Sequence, residues 1–257
     1  RIIKAALKRF FDYCREAGIT QRNGNFTIRY HTSIPPHLGL AGSSAIITAC
    51  MRALMAYYSV DIPPEVLANE VLSVARDELG IGAGLQDRVA QAYQSLVFMD
   101  FDREYMKQHG HGRYEVLDNL VLPRLYIAYR TDLSEGSEIT HNNLRYRWEQ
   151  GDDEVHAAMD EWARLSLEFR SAVEADDEKT AARCINRNFD LRRKICAVSP
   201  TNERLVELAR TTGASAKFTG SGGAIIGTYK DEEMFDRLAK TFEPEQIELI
   251  KPEVCNG

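Results

Sequence analysis

The chain has 257 residues, of which 44% are hydrophobic and 27% charged, a composition typical of a globular protein with a substantial core. Its net charge of −6, with acidic and basic residues interleaved, does not indicate a nucleic-acid-binding surface, and no apolar run reaches the length of a membrane span. The five cysteines are scattered and no histidines cluster near them. We therefore expect free thiols in a reducing cytoplasm, without disulfides or a zinc site.

The first elements are a helix and a short strand. Residues 1–17 carry apolar side chains at helical spacing and predict an amphipathic helix that ends at Gly18. The chain enters this pattern directly, without an initial Met, so we expect further residues upstream of Arg1. Residues 25–31 alternate between apolar and polar types, and this alternation predicts a strand.

Residues 34–58 form the most informative segment. After two prolines, a loop of small residues contains Gly39 and Gly42, both of which can adopt positive φ. Ser43 and Ser44 are preferred residue types for a helix N-cap, and residues 45–57 predict a helix that is apolar on nearly every side and therefore buried. A glycine loop that leads into a helix is either a plain turn before a core helix or an anion site, usually for phosphate.

Residues 65–79 predict a second helix that ends at Gly80. Glu78 lies on its apolar face, which also carries Leu67, Val71 and Val74. An unpaired carboxylate there would be costly, so Glu78 either lies in a frayed last turn or has a cation partner. Three glycines at alternate positions follow in residues 80–84, and then Asp87. Such a loop lets a ligand approach closely, and Asp87 is either a helix cap or a carboxylate that faces this ligand.

The second half of the chain alternates strands and helices. Strands are predicted over residues 95–101, 114–117, 125–130, 224–229 and 246–250, and helices over 148–173, 177–196 and 232–241. A polar loop is predicted at 131–141. Residues 188–193 place an acid beside Arg192 and Arg193, which is either a solvated helix face or a site for an anionic substrate group. A further glycine segment, residues 220–223, precedes the strand that begins at 224.

Three segments, taken in order, resemble the motifs of the GHMP small-molecule kinases. They are PPHLGLAGSSA (35–45), ELGIGAGLQDR (78–88) and AKFTGSGGA (216–224). The GLQDRVAQ run that leads into a strand ending in MDF, together with NFDLRR, resembles the plant-type glucuronokinases of this family in particular. The likeness extends over nearly the whole chain.

The resemblance implies a two-lobed α+β fold. The N-terminal α+β lobe would comprise residues 1–130, with its first strand or strands missing upstream, and a ferredoxin-like C-terminal α+β lobe would comprise 131–257. ATP and a small sugar or sugar acid would bind in the cleft between the lobes. The implied reaction is phosphorylation of the anomeric hydroxyl of D-glucuronate. Another GHMP sugar kinase, such as a heptose-phosphate kinase, and a non-catalytic nucleotide-binding module are the alternatives.

The resemblance also implies roles for particular residues. ATP would contact Pro36, Leu38, Gly39, Leu40, Ala41, Gly42, Ser43, Ser44 and Ala45. Magnesium would be bound by Ser44, with Ser43 as the next candidate, and by Glu78, although the chain has Ala75-Arg76 where many members have Ala-Glu. Asp87 would be the catalytic residue that faces the sugar hydroxyl. Further contacts with the substrate would come from Arg192, Gly220, Ser221 and Gly222.

Overall fold

The computed structural model describes residues 1–36, 38–117, 120–130 and 144–253, and their contacts form two compact units. Unit 1 contains the described residues of 1–34 and 41–117. Unit 2 contains those of 35–40, 120–130 and 144–253. The lobes expected from the resemblance divide between residues 130 and 131. In the contact-based units, residues 120–130 and the short segment 35–40 both belong to unit 2.

Unit 1 is a helical layer with a β-hairpin. Its helices are α1 (Ile2–Glu16), α2 (Gly42–Tyr58), α3 (Pro64–Ser73) and α4 (Gln86–Tyr93). The hairpin pairs β1 (Val97–Asp100) with β2 (Arg113–Val116) in antiparallel register, and α5 (Arg103–His109) connects the two strands. The helices pack because each carries an apolar stripe at spacings of three and four residues. The core of this unit includes Phe10, Met51, Leu67, Val71 and Val89.

The strand predicted over residues 25–31 is wrong. This segment runs without regular secondary structure, and most of its side chains are exposed, although Ile28 packs against the core of unit 1. A strand needs a neighbouring backbone to complete its hydrogen-bond ladder. Within the described residues of unit 1, the strands that pair are β1 and β2, so alternation at 25–31 has no ladder to join.

The two predicted helices of this region are present, with changes at their ends. α2 begins at Gly42 and not at residue 45, and it is not buried all round, because Ala49, Ala53 and Ala56 are exposed along one side. The helix predicted over 65–79 consists of α3 and a π-helical turn, Val74–Glu78. It ends at Gly80, whose φ of +69° matches the expected C-terminal glycine.

Unit 2 is built on an antiparallel sheet. In its described residues the strands are β3 (Leu125–Tyr129), β4 (Lys217–Phe218), β5 (Ala224–Thr228) and β6 (Glu248–Ile250), in the order β4-β5-β3-β6. Residues 144–149 are helical, and the helices that follow them are α6 (Asp153–Glu174), α7 (Glu178–Ile195), α8 (Pro200–Thr211) and α9 (Glu232–Phe242). The core is formed largely by the sheet residues Tyr126 and Ile225 and by Phe189, Leu205 and Leu238 from the helices.

The helix predicted over residues 148–173 is interrupted. Gly151 has a φ of +76°, and the side chain of Asp152 accepts hydrogen bonds from the backbone N–H groups of Glu154 and Val155, so that α6 begins at Asp153. The sequence analysis did not predict α5 or α8, and its polar loop at 131–141 lies outside the described residues. Among the described helices, none combines the length and the apolar character needed to cross a lipid bilayer.

Candidate phosphate-binding and catalytic site

The start of α2 presents unpaired backbone N–H groups. Ala41 precedes the helix in the left-handed region, with φ 55° and ψ 27°, and its carbonyl accepts the first helical hydrogen bond from Ala45 N at 3.0 Å. The N–H groups of residues 42–44 therefore come before the helical ladder, at the positive end of the helix dipole. This arrangement suits an anion.

Two details of the predicted loop are wrong. Neither Ser43 nor Ser44 is the N-cap, because both lie inside the first turn of α2 and Ala41 takes that position without a side-chain cap. Gly42 is helical and needs no positive φ; the residues with positive φ are Gly39 and Ala41. The helix starts earlier than serine preference indicates because the turn at Ala41 has already oriented the backbone.

A hydrogen-bond network joins α4 to the start of α2 within unit 1. The hydroxyl of Ser44 donates to Ala41 O at 2.9 Å. Gln91 Nε2 on α4 donates to Ser44 Oγ at 3.0 Å and to Ala41 O at 3.3 Å, and Thr48 Oγ1 donates to Gln91 Oε1 at 3.2 Å. Ser44 is only 2% exposed, whereas Ser43 is exposed. With one bond donated and one accepted, Ser44 Oγ keeps one acceptor lone pair.

Asp87 lies in the first turn of α4, where Leu85 is the N-cap and no side-chain cap is present. The structure therefore does not support the helix-cap interpretation of Asp87. Its side chain is 53% exposed, and among the described residues the nearest cationic atom is Arg88 Nη1, 3.9 Å from Asp87 Oδ2. Asp87 and Gln91 are four residues apart and share one face of α4. Because Gln91 reaches Ser44 and Ala41, this face is the one that meets the start of α2.

Arg88 supports the glycine loop before α4. It is buried, and its Nη1 donates to Gly84 O at 2.8 Å. Burial lowers the pKa of Arg88, with a smaller opposing effect from Asp87. The guanidinium keeps its charge, because arginine is not deprotonated in proteins. Arg88 thus holds the end of the loop that leads into α4, the helix whose first turn contains Asp87.

Glu78 has a cation partner, but this partner is a lysine. Its carboxylate forms an ion pair with Lys8 of α1, and Lys8 also contacts Asp12 at 3.1 Å. The side chain of Glu78 is 20% exposed within the π-helical turn, so the last turn is not frayed into solvent. Its role as a magnesium ligand stays a prediction. In the described part of the chain, no three His, Cys, Asp or Glu side chains form a metal-binding group.

The two glycine segments of unit 2 touch each other. A Cβ on Gly220 would lie 2.7 Å from Gly39 O, and a Cβ on Gly39 would lie 3.0 Å from Gly222 O. Gly39 also has a φ of +64°, and Thr219 Oγ1 donates to its carbonyl at 3.1 Å. The glycine segment at 220–223 therefore packs against the loop that contains residue 39. Backbone approaches this close require glycine.

Arg192 holds the second of these segments. Its Nη1 donates to Gly220 O at 2.8 Å, its Nη2 donates to Ser221 O at 3.0 Å, and its guanidinium lies 5.1 Å from the centroid of the Phe218 ring. Arg193 points elsewhere, with Nε 3.7 Å from Glu203 Oε1. The substrate contacts predicted for Arg192, Gly220, Ser221 and Gly222 stay predictions, and the structure adds a loop-supporting role for this arginine.

Gln91 and Lys217 are residues that the sequence analysis missed. Lys217 lies beside the glycine segment, and its Nζ donates to Phe218 O at 3.0 Å. Burial lowers the pKa of Lys217, and repulsion from Arg192 lowers it further. Lys217 could have been found from its place directly before the FTGSGG run. Gln91 carries no comparable signal, because a glutamine on a helix is ordinary in any sequence.

The fold and the glycine segments together define the class of protein. Residues 1–95 match the family model described as the GHMP kinases N terminal domain. The crystal structure of the mevalonate kinase of Methanococcus jannaschii aligns with 97% of this chain and 73% of its own, with a TM-score of 0.70 at 19% identity. The chain therefore has the GHMP kinase fold, and the two-lobed α+β class expected from the resemblance is confirmed.

Two proteins of Arabidopsis thaliana share a higher sequence identity with this chain than the mevalonate kinase does. The chain is 44% identical over 232 residues to a protein named probable glucuronokinase 2 and 42% identical over 231 residues to glucuronokinase 1. Each match covers 88% of this chain and 63% of the relative, so the chain spans less than two thirds of their length. The resemblance to GHMP kinases, and to glucuronokinases among them, is confirmed.

Proposed function

We propose that the protein transfers the γ-phosphoryl group of ATP to the anomeric hydroxyl of D-glucuronate, which gives D-glucuronate 1-phosphate. One observation carries this proposal: Gln91, on the face of α4 that bears Asp87, donates hydrogen bonds to the Ala41 carbonyl and the Ser44 hydroxyl at the start of α2. This contact supports a proposal in which the start of α2 binds an anion and the exposed carboxylate of Asp87 acts beside it. The names of the two Arabidopsis relatives support glucuronate as the acceptor.

The start of α2 binds the phosphates of ATP in this proposal. The N–H groups of residues 42–44 point out of the helix end and donate to phosphate oxygens, as helix N-termini commonly do. Phosphoryl transfer asks a protein mainly to position groups and to neutralise charge. The remaining predicted ATP contacts, from residues 36–45, belong to the same proposal.

The oxygen atoms of the side chains near the start of α2 are ligands that suit magnesium. Mg²⁺ prefers oxygen ligands and is usually held by one or two protein groups together with substrate phosphates and water. Ser44 Oγ keeps one acceptor lone pair, and Ser43 offers an exposed hydroxyl. We assign the contact to Ser44, with Ser43 as the neighbouring alternative. To bind the metal, the carboxylate of Glu78 would have to leave its ion pair with Lys8. When bound, the ion would neutralise charge on the transferred phosphoryl group.

Asp87 acts on the acceptor in this proposal. Its carboxylate accepts a hydrogen bond from the anomeric hydroxyl and takes the proton as the new O–P bond forms, while the bond between the γ-phosphorus and the β,γ-bridging oxygen breaks and ADP leaves. Asp87 is suited to this role because it is exposed, makes no cap and lies on the α4 face that meets α2. We place the reaction in the cytoplasm. The described cysteines are all free thiols, which supports a reducing compartment.

Acceptor-dependent release of ADP tests the proposal. The protein is incubated with ATP, Mg²⁺ and one of three acceptors: D-glucuronate, its 1-deoxy analogue or D-glucose. We expect ADP and an acid-labile 1-phosphate, identified by ³¹P NMR, with D-glucuronate. The 1-deoxy analogue should give no phosphorylated product because it lacks the acceptor hydroxyl, and D-glucose should react poorly because it lacks the carboxylate. ADP release that D-glucuronate does not raise, or phosphate on another hydroxyl, would contradict the proposal.

A further inference from the structure

We propose that Gln91 is a positioning residue that holds the turn at Ala41 in its left-handed conformation and so aims the N–H groups of residues 42–44 at the nucleotide phosphates. This inference rests on the proposed function. It assigns to a helix glutamine a task in substrate binding beyond the roles that the motifs imply.

The turn at Ala41 needs support from its surroundings. A residue with a Cβ is strained at a φ of 55°, and such a conformation persists where neighbouring contacts enforce it. The carbonyl of Ala41 accepts from Ala45 N at 3.0 Å, from Ser44 Oγ at 2.9 Å and from Gln91 Nε2 at 3.3 Å. Two of these donors belong to α2 itself. Among the described residues, Gln91 is the donor to this carbonyl from another element.

The orientation of the Gln91 amide is also fixed. Thr48, which is nearly fully buried, donates its hydroxyl hydrogen to Gln91 Oε1 at 3.2 Å. The other side of the amide, Nε2, therefore faces Ser44 Oγ and Ala41 O, where only a donor is useful. Reversal of the amide would set its oxygen against the carbonyl oxygen of Ala41. The amide thus has one satisfied orientation, and this orientation holds the turn.

In this proposal Gln91 also sets the distance between the Asp87 carboxylate and the phosphate-binding N–H groups of residues 42–44. It lies one helical turn from Asp87 on the same face of α4. A shift of α4 relative to the start of α2 would move the carboxylate and the phosphate-binding N–H groups apart. Small misplacements of reacting groups are costly in rate, since positioning supplies much of the catalysis in phosphoryl transfer.

Binding of ATP with Mg²⁺, measured by isothermal titration calorimetry on the whole chain, tests this role. Gln91→Glu keeps the size of the side chain but replaces the amide donor by an acceptor. Gln91→Met keeps a similar size and removes both the amide donor and the amide acceptor. We expect both variants to bind about 10-fold more weakly, the effect typical of residues that orient direct ligand contacts. The matched control is Gln94→Glu on the exposed end of α4, because its side-chain oxygen still accepts from Arg52.

A rescue experiment separates positioning from general support of the fold. Glycine adopts the left-handed region without strain, so Ala41→Gly should recover part of the affinity lost in Gln91→Met. A residue that merely stabilised the fold would show the same loss in both backgrounds, and this outcome would overturn the inference. Melting temperatures confirm that each variant is folded, and Gln91→Met serves if Gln91→Glu is not.

The remaining outcomes are distinct. Unchanged ATP affinity in folded Gln91→Met would overturn the inference and leave the proposed function standing. Absence of ATP binding by the unaltered protein would overturn the proposed function and, with it, the inference.

Discussion

The helices whose starts the structure describes fall into two groups. Helices α5, α6, α7, α8 and α9 each begin with an N-cap residue whose side chain accepts a hydrogen bond from a backbone N–H group; these residues are Asp102, Asp152, Asp177, Ser199 and Asp231 respectively. Helices α1, α2, α3 and α4 begin without a side-chain cap, after Arg1, Ala41, Pro63 and Leu85 respectively, and α2 and α4 are the two of these at the candidate site. A cap satisfies an orphan N–H and typically stabilises a helix by about 1 kcal/mol.

The presence or absence of a side-chain cap affects what the first N–H groups of a helix can bind. At a capped start the helix dipole and the first N–H groups are already used by the protein. At α2 they remain for a ligand, and at α4 the acidic residue Asp87 lies in the first turn without using its carboxylate as a cap. The carboxylate of Asp231 therefore caps its helix, whereas the carboxylate of Asp87 does not. Substitutions at these two positions should change different measurements.

The largest expected effect is that of Asp87→Asn on turnover. Loss of a positioned base typically lowers the rate by about 10²- to 10⁴-fold, whereas the melting temperature should stay unchanged because Asp87 caps nothing. Turnover with ATP and D-glucuronate and a thermal melt measure the two quantities. Asp231→Asn is the matched control and should be nearly silent in both, because asparagine caps as well as aspartate. A normal rate in Asp87→Asn would place Asp87 with the scaffold residues.

Gly220→Ala should have the next largest effect, this time on stability. The new Cβ would lie 2.7 Å from Gly39 O, a backbone atom that can move away only if its loop shifts. Overpacking of this kind typically costs about 1–3 kcal/mol of the free energy of unfolding, which denaturant titration measures.

Gly42→Ala is the control for Gly220→Ala, because it adds a methyl group at a less crowded position. Its Cβ would meet the side chain of Ile34 at 3.3 Å, and Gly42 is helical, where alanine is favoured. We therefore expect a change in unfolding free energy well below that of Gly220→Ala. Equal losses for the two variants would show that the contact between Gly39 and Gly220 is not the cause.

Asp231→Ala should cost about 1 kcal/mol of unfolding free energy and leave turnover unchanged. The carboxylate of Asp231 accepts a hydrogen bond from Met234 N at 2.9 Å, and the substitution leaves that N–H without its partner at the start of α9. Denaturant titration and the ADP-release assay report the two outcomes. A fall in turnover at unchanged stability would reverse the assignment of this start to the scaffold.

The smallest expected effect is the pH dependence caused by Lys217. Burial, with repulsion from Arg192, lowers its pKa below the ordinary value of about 10.4. Between the two values the unfolded chain binds more protons than the native protein, so unfolding free energy should rise with pH there and level off above the ordinary pKa. Lys217→Met should flatten this rise when unfolding curves of the two proteins are compared over alkaline pH.

Lys251 gives the opposite sign and serves as the control. Its contact with Glu232 raises its pKa, so its contribution to stability is present below the ordinary value and is lost as pH rises through the raised one. Lys251→Met should remove a fall with pH, not a rise. Because Lys251 is exposed, this change should be small. A flat difference curve for Lys217→Met would show that its charge is not destabilising in the native protein.

Much of the local structure followed from the sequence. Apolar periodicity located α1, α2 and the helix that ends at Gly80, and alternation located β1, β2, β3 and β5. The order of the three motif segments led to the GHMP kinase fold, which the structural comparison confirmed. Periodicity succeeds for these elements because each one buries a face that its own residues define.

Other features depended on contacts between distant residues. Alternation at residues 25–31 could not produce a strand without a neighbouring ladder, and serine preference could not reveal that Ala41 would turn left-handed. The partners of Glu78 and Arg192, which are Lys8 and the carbonyl groups of Gly220 and Ser221, lie far away along the chain. A pattern along the sequence does not contain these pairings.

By itself, the sequence determined which residue types are available to the candidate site: three glycine segments, a serine pair and Asp87, in the order of a known class of kinases. Only the tertiary structure decided what each residue does within the fold. It freed Asp87 from a capping role, paired Glu78 with Lys8 and brought Gln91 to the turn at Ala41. The physical reason is that hydrogen bonds and ion pairs depend on distances of about 3 Å, and folding alone sets such distances between residues remote in sequence.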